Sequence, residues 1–96
     1  MDPEANDLAE PLSALRRAER GLIVALDDSG ESFGDDQHAT IARRLLELGF
    51  IPGAEVELIA TMWPGDDPLA VRVGGATFAL RRHEAHVVRI RRLSGS

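Results

Sequence analysis

The chain has 96 residues, of which 44% are hydrophobic and 28% are charged, and its formal net charge is −5. These values are typical of one compact domain with a single core, which leaves little room for a deep catalytic cleft. Because the chain contains no cysteine, disulfides, thiolate metal sites and thiol nucleophiles are excluded, and we expect a cytoplasmic protein.

Both ends of the sequence are polar. Residues 1–10 are acidic with no hydrophobic period, and residues 94–96 form a small polar tail. We expect a flexible acidic N-terminus, a domain over residues 11–93, and a frayed end. We expect no secretory signal, because Met1 is followed by acidic residues and not by a basic and then an apolar segment; the longest apolar run, Leu22–Leu26, is too short to cross a bilayer.

The run Leu22–Leu26 is the first predicted strand, and its apolar character is typical of burial on both faces. A short turn before it is expected to tuck Leu12 and Leu15 inward. Residues 27–36 contain two glycines and five acids, which predicts a loop, and Asp35 or Asp36 is expected to cap the helix that follows it.

A helical period begins at Gln37. The outer face carries Arg43, Arg44 and Glu47, and Gly49 is expected to end the helix in the left-handed conformation. The predicted inner stripe is Ile41, Ala42, Leu45, Leu46 and Leu48.

The next residues predict a sharp corner. Phe50 and Ile51 are expected to enter the core, while Pro52 and Gly53 occupy the central positions that a type II turn favours. A strand then follows over residues 55–62. Its predicted inner face is Val56, Leu58, Ala60 and Met62.

The last third of the chain predicts three further elements after a Pro- and Gly-rich loop. Leu69–Val73 and Ala76–Leu80 alternate in hydrophobicity and are joined by a Gly-Gly hairpin turn. Residues 81–85 predict one helical turn. A closing strand follows, in which Val88 and Ile90 are expected on the inner face and Val87, Arg89 and Arg91 on the outer face. These elements predict a mainly β fold, a small SH3-like barrel of about five antiparallel strands with one inserted α-helix.

Two segments carry a resemblance to a known family. RRLLELGFIPGAEVEL at residues 43–58 and PGDDPLAVRVGGATFALRRHEAHVVRI at residues 64–90 resemble the FeoA family, small cytoplasmic companions of bacterial ferrous iron transporters. The resemblance covers about Leu12 to Ile90 and implies the same SH3-like fold. In one departure, Arg17 and Ala18 stand where the family usually has Pro-Gly.

The resemblance implies a non-enzymatic accessory or regulatory role in ferrous iron uptake, through contact with the cytoplasmic GTP-binding domain of the membrane transporter. It implies a cytoplasmic protein, recruited to the inner face of the membrane by that partner, with no required cofactor. Weak self-association is left open. The alternative is a metal-responsive or adaptor SH3-like module that acts on another protein.

Candidate site residues are few. The sequence lacks HExxH and, having no lysine, lacks GxxxxGK[ST], so no catalytic residue is predicted. His83 and His86 could bind Fe²⁺ or Zn²⁺, although two surface histidines without a third ligand are more typical of a solvated turn. Nucleic acid binding is disfavoured because the domain is acidic and lacks a row of stacking aromatics.

Partner binding has two candidate places. Trp63, in a proline-rich turn, is predicted either to anchor an interface or to plug one end of the barrel. The charged helix face of Arg43, Arg44 and Glu47 could meet an acidic patch, or could simply be solvated.

Overall fold

The computed structural model describes residues 9–27, 37–62, 65 and 67–93, with the backbone alone for residues 37–39. In this part of the chain the strands are β1 Glu10–Pro11, β2 Arg20–Leu26, β3 Glu55–Thr61, β4 Leu69–Val73, β5 Ala76–Leu80 and β6 Val88–Arg92. The helices are a 3-10 turn at Leu12–Ala14, α1 at Gln37–Leu48 and α2 at Arg82–Val87. Within the described residues, no helix has the length and hydrophobicity that spanning a membrane requires.

All strands join one antiparallel sheet in the order β1-β6-β2-β3-β4-β5. The mainly β class is confirmed, with six strands rather than about five. The additional strand, β1, pairs Glu10 with Ile90, so the expected domain boundary at residue 11 falls inside a strand. No hydrogen-bonded pairing of β1 with β5 closes the sheet in the described part. Instead, α2 packs between them and contacts β1, β5 and the 3-10 turn.

One hydrophobic core lies inside the curved sheet. Phe50 is fully buried, and its ring centre lies 5.4 Å from that of Phe78 in a tilted arrangement. The expected inward placement of Leu12 and Leu15 is confirmed. The other core residues are Ile23, Ala42, Leu45, Val56, Leu58, Leu69, Val71, Val73, Leu80, Ala85, Val87, Val88 and Ile90.

The predicted corner between α1 and β3 is confirmed in its backbone. Gly49 has φ 117°, and the N–H of Phe50 donates to the Leu45 carbonyl at 2.9 Å, which is the Schellman arrangement that ends helices. Gly53 has φ 95°, and the Ala54 N–H donates to the Ile51 carbonyl at 3.0 Å, as a type II turn requires. The predicted structural roles of Gly49, Pro52 and Gly53 follow from these bonds.

Several predicted burials are wrong. β2 is covered on one face only: Gly21 and Ile23 are buried, whereas Val24 points to the opposite face and is exposed. A register shift between Leu58 and Ala60 puts the end of β3 out of phase, so Met62 is exposed. Ile51, Leu46 and Leu48 are also exposed instead of buried.

In α2, a residue that was predicted to be exposed is buried. The predicted helical turn over residues 81–85 extends as α2 through Val87, which was expected to face outward in the closing strand and is buried instead. In a helix, Val87 leaves the alternating pattern of a strand and joins the core next to Val88.

Candidate functional site

The charged outer face of α1 lies beside α2. Arg43, Arg44 and Glu47 are all exposed, as predicted. The Arg44 Nη1 atom lies 3.9 Å from Glu84 Oε2, which links this face to α2 through a long ion pair between an exposed arginine and a half-buried glutamate. Such a pair contributes little to stability, so these groups are available to a partner at low energetic cost.

Two carboxylates hold the N-terminus of α2. The Arg81 N–H donates to Glu84 Oε1 at 2.8 Å, and the Arg82 N–H donates to Asp67 Oδ1 at 2.9 Å. The latter bond connects α2 with the loop between β3 and β4. Because free N–H groups at a helix start favour carboxylates, this pair fixes where α2 sits.

His83 and His86 both lie exposed on α2, three residues apart. In the part of the chain that the structure describes, no three metal-ligating side chains come together. Among the described residues no third ligand therefore joins the two imidazoles, so a tetrahedral zinc ion bound here would take its other ligands from water or from another molecule. Trp63, the predicted anchor or plug, lies outside the described residues.

Four large apolar side chains that were predicted to enter the core are exposed on α1, on the turn that follows it and on β2. We call Val24, Leu46, Leu48 and Ile51 the apolar corner; their exposed fractions are 38%, 41%, 43% and 48%. The Gly53 N–H donates to the Ile23 carbonyl at 2.8 Å, which places the turn against β2 next to Val24. The exposure of Leu46 and Leu48 could have been predicted, because the five apolar residues of α1 form a stripe that is wider than the part of the core that this 12-residue helix covers.

A cleft of about 450 Å³ lies on the outer side of β3. Arg20 Nη1 lies 2.9 Å from Glu55 Oε2, and Arg72 Nη1 lies 3.6 Å from Glu57 Oε1. The two arginines and the two glutamates carry equal and opposite charge, and each arginine already pairs with one glutamate. The remaining lining residues are Ala54, Val56, Gly74 and Gly75, so the lining contains no hydroxyl, thiol, amine or imidazole side chain.

A further charged cluster fastens β1 to the rest of the sheet. Arg92 donates from Nη2 to Glu10 Oε1 at 2.9 Å and from Nε to Glu10 Oε2 at 3.2 Å, and its Nη1 also contacts Glu19. The Arg92 hydrogen bond lowers the pKa of Glu10, while the backbone N–H of Arg16 is the main cause that lowers the pKa of Glu19. This cluster is structural, because all of its members hold elements of the fold together.

Taken with the inserted helix and the bonded corner, the curved six-stranded sheet defines a small SH3-like barrel domain. The FeoA domain model matches residues 10–92, and the chain belongs to this family. A search of curated protein sequences gives no significant match.

Solved structures agree with this assignment. The FeoA of Stenotrophomonas maltophilia, solved in complex with zinc and described as a prokaryotic SH3 domain protein and a candidate ferrous iron transport activating factor, is 39% identical with a TM-score of 0.70. The match covers 85% of this chain and 89% of that one. The FeoA of Chlorobium tepidum is 26% identical over 90% of this chain and 72% of that one, with a TM-score of 0.71.

A manganese-dependent transcriptional repressor shares the fold alone. It is 18% identical over 88% of this chain and 42% of that one, with a TM-score of 0.69. The predicted SH3-like fold and the FeoA resemblance are both confirmed by these comparisons.

Proposed function

We propose that this chain is a non-enzymatic regulator of ferrous iron uptake that binds the cytoplasmic GTP-binding domain of a ferrous iron transporter. The observation that carries the proposal is the FeoA match over residues 10–92, together with a relative described as a candidate ferrous iron transport activating factor. None of the described residues has a buried polar or charged side chain, and buried, perturbed groups of that kind are typical of catalytic sites. In this role the protein acts in the cytoplasm, at the inner face of the membrane.

The apolar corner and the adjacent face of α1 form the surface that fits such a partner. In protein interfaces, apolar side chains form the centre from which water is excluded, and charged side chains at the margin orient the partner. Arg43 and Arg44 outnumber Glu47 on this face, so it complements an acidic patch. We assign the contact to this surface because large exposed apolar side chains and predicted binding residues coincide there.

Binding is tested by titrating the purified GTP-binding domain, loaded with GDP or with a non-hydrolysable GTP analogue, into the full chain. The informative variants are Leu48→Asp and Ile51→Asp, whose exposed side chains can change without opening the core. Each is expected to weaken binding by at least about tenfold, since a charge replaces an apolar contact in a desolvated interface. No heat with either nucleotide at high micromolar concentration would contradict the proposal.

Met62→Asp is the matched control. Met62 is 44% exposed and lies beyond the end of β3 that is remote from the corner. It should bind as the unmodified chain does. A loss of binding in Met62→Asp but not in Leu48→Asp would move the interface to the region of Trp63, and Trp63→Ala would then be the variant that tests the anchor prediction.

A metal-responsive function is the second candidate, and the zinc complex of the S. maltophilia relative favours it. Its proposed ligands here are His83 and His86, with Fe²⁺ or Zn²⁺ as the ion. Calorimetric titration of Zn²⁺ into the chain and into His83→Ala/His86→Ala tests it. Equal heats for both proteins, or no heat and no change in melting temperature, would exclude these ligands.

A further inference from the structure

β5 is the last strand of the sheet, and the N–H and C=O groups on its outer edge form no backbone hydrogen bond with any described residue. The two-residue turn makes Val73 and Ala76 a hydrogen-bonded pair, and every second residue after Ala76 repeats this pattern toward β4. The N–H and C=O groups of Thr77 and Ala79 therefore point away from β4. Within the described part of the chain, no backbone hydrogen bond reaches them.

The two ends of the sheet differ in how they are protected. β1 is two residues long, contains Pro11, and has its charged Glu10 held by Arg92; short length, proline and charge all discourage pairing with another strand. β5 has five residues, none of them charged or proline. An unprotected edge of this length is a template for strand addition.

We propose that the β5 edge pairs antiparallel with β5 of a second copy of this chain, about a two-fold axis between the two Phe78 residues. This register sets Thr77 of each copy opposite Ala79 of the other. Since both residues direct their N–H and C=O outward, the pairing forms about four hydrogen bonds across the axis. It does not depend on the proposed transporter contact and uses none of the apolar corner.

The strand is complementary to itself in this register. No charged side chain faces another, and Gly75 lies opposite Arg81, so the arginine meets a residue without a side chain. At the centre, Phe78 is half-buried against Phe50, and the pairing brings the exposed part of each Phe78 next to its copy. Aromatic pairs at such positions stabilise antiparallel strands. Because the edge is short, we expect a weak, concentration-dependent dimer.

Sedimentation velocity of the full chain over a concentration series tests the dimer, and paired variants test its register. In Thr77→Lys/Ala79→Lys, each lysine faces a lysine of the other copy. In Thr77→Lys/Ala79→Glu, each lysine faces a glutamate. Lys at 77 lies beside Arg72 in both variants, so any intramolecular destabilisation caused by that neighbour is shared.

The unmodified chain should show a monomer–dimer equilibrium. The Lys/Lys variant should raise the dissociation constant by about tenfold or more, and the Lys/Glu variant should not. Mixing Lys/Lys with Thr77→Glu/Ala79→Glu should restore dimers, as only the mixed species pairs opposite charges. Amide exchange at Thr77 and Ala79 should slow as concentration rises.

Three results would overturn the proposal. A single monomeric species up to millimolar concentration would exclude a second copy and leave a strand of another protein as the occupant. Equal dimerisation of the Lys/Lys and Lys/Glu variants would place the contact elsewhere. Failure of the oppositely charged variants to associate, when each melts cooperatively by itself, would exclude the antiparallel register.

Discussion

Gly21 lies so close to Ile90 that a methyl group on Gly21 would stand 2.7 Å from the Ile90 Cδ1 atom. The Cβ and Cγ1 atoms of Ile90 would lie at 3.2 and 3.3 Å. Ile90 is fully buried, so its side chain has no free space into which it can turn. Contact of β2 with β6 at this point therefore requires glycine.

Gly21→Ala should consequently destabilise the protein by about 1–3 kcal/mol, the usual cost of overpacking a core. Chemical denaturation measures the change. Ile90→Val removes the Cδ1 atom, so the double variant should lose less stability than the sum of the two single variants. Strict additivity of the two single changes would show that the two residues do not clash.

Ala18→Gly should stabilise the fold. Ala18 has φ 73° at the third position of a turn in which the Glu19 N–H donates to the Arg16 carbonyl at 2.9 Å. Alanine is strained in this left-handed conformation and glycine is not, and we expect a net gain of about 0.5–1 kcal/mol after the larger chain entropy of glycine is counted. The measurement is the midpoint of urea unfolding.

Ala14→Gly is the matched control for that change. Ala14 ends the 3-10 turn and is exposed, so glycine there brings greater freedom to the unfolded chain without relieving strain. It should cost about 0.5–1 kcal/mol. A stability loss at both positions would contradict the assignment of strain to Ala18.

Gly53→Val should destabilise by more than about 1 kcal/mol, because the turn holds Gly53 at φ 95°. Nothing lies within 4 Å of the position that a Cβ would take, so the cost comes from the backbone and not from a clash. Glu57→Gln should change stability by less than about 0.5 kcal/mol, since its pair with Arg72 is exposed. Thermal unfolding of both variants compares them, and equal losses would contradict the role of the turn.

The Arg92 cluster should make stability depend on pH in the acid range. The pKa values of Glu10 and Glu19 are lowered in the folded protein relative to the ordinary value of 4.5. Their stabilising contribution is therefore complete above about pH 4.5 and is lost as pH falls through the lowered values. Arg92 stays protonated throughout, since its own pKa is raised.

Arg92→Gln removes the charge that these carboxylates face. The melting temperatures of the two proteins should differ most near pH 7 and converge only once the pH falls below the lowered pKa values of Glu10 and Glu19, where the carboxylates are protonated in both proteins. A constant difference across this range would mean that Arg92 stabilises the fold by packing alone.

The backbone of the corner could be predicted from residues 43–58 because glycine and proline restrict local conformation directly. Gly49 and Gly53 adopt the positive φ values that their positions indicate. The hairpin at Gly74 and Gly75 was predictable for the same reason. The conformation of these turns depends on residues that are adjacent in sequence, so it can be predicted from the sequence alone.

Burial at the corner and the edges could not be predicted in the same way. Whether Ile51 or Leu48 is covered depends on how far the sheet extends over α1, and hydrophobicity alone does not report that distance. The register shift that exposes Met62 arises from the pairing of β3 with β4, and the exposure of Val24 arises because β2 is covered on one face only; neither is visible in the local sequence. β1 was missed because two residues are too few to show a period.

In the candidate site, too, local features could be predicted from the sequence and tertiary contacts could not. Exposure of Arg43, Arg44 and Glu47 was readable from the helical period, whereas their proximity to α2 through Glu84 required the tertiary fold. Asp67 was not predicted as a cap for α2, since its partner at Arg82 lies 15 residues away.

The bonds between the corner and β2 have a consequence for molecular recognition. The Ile23 N–H donates to the Ala54 carbonyl at 2.8 Å, and the Ile23 carbonyl accepts from Gly53 at the same distance. Ile51 is therefore carried on a backbone already immobilised before any encounter. A partner that docks there loses little configurational freedom of this chain, so association should resemble the meeting of two preshaped surfaces rather than folding upon contact.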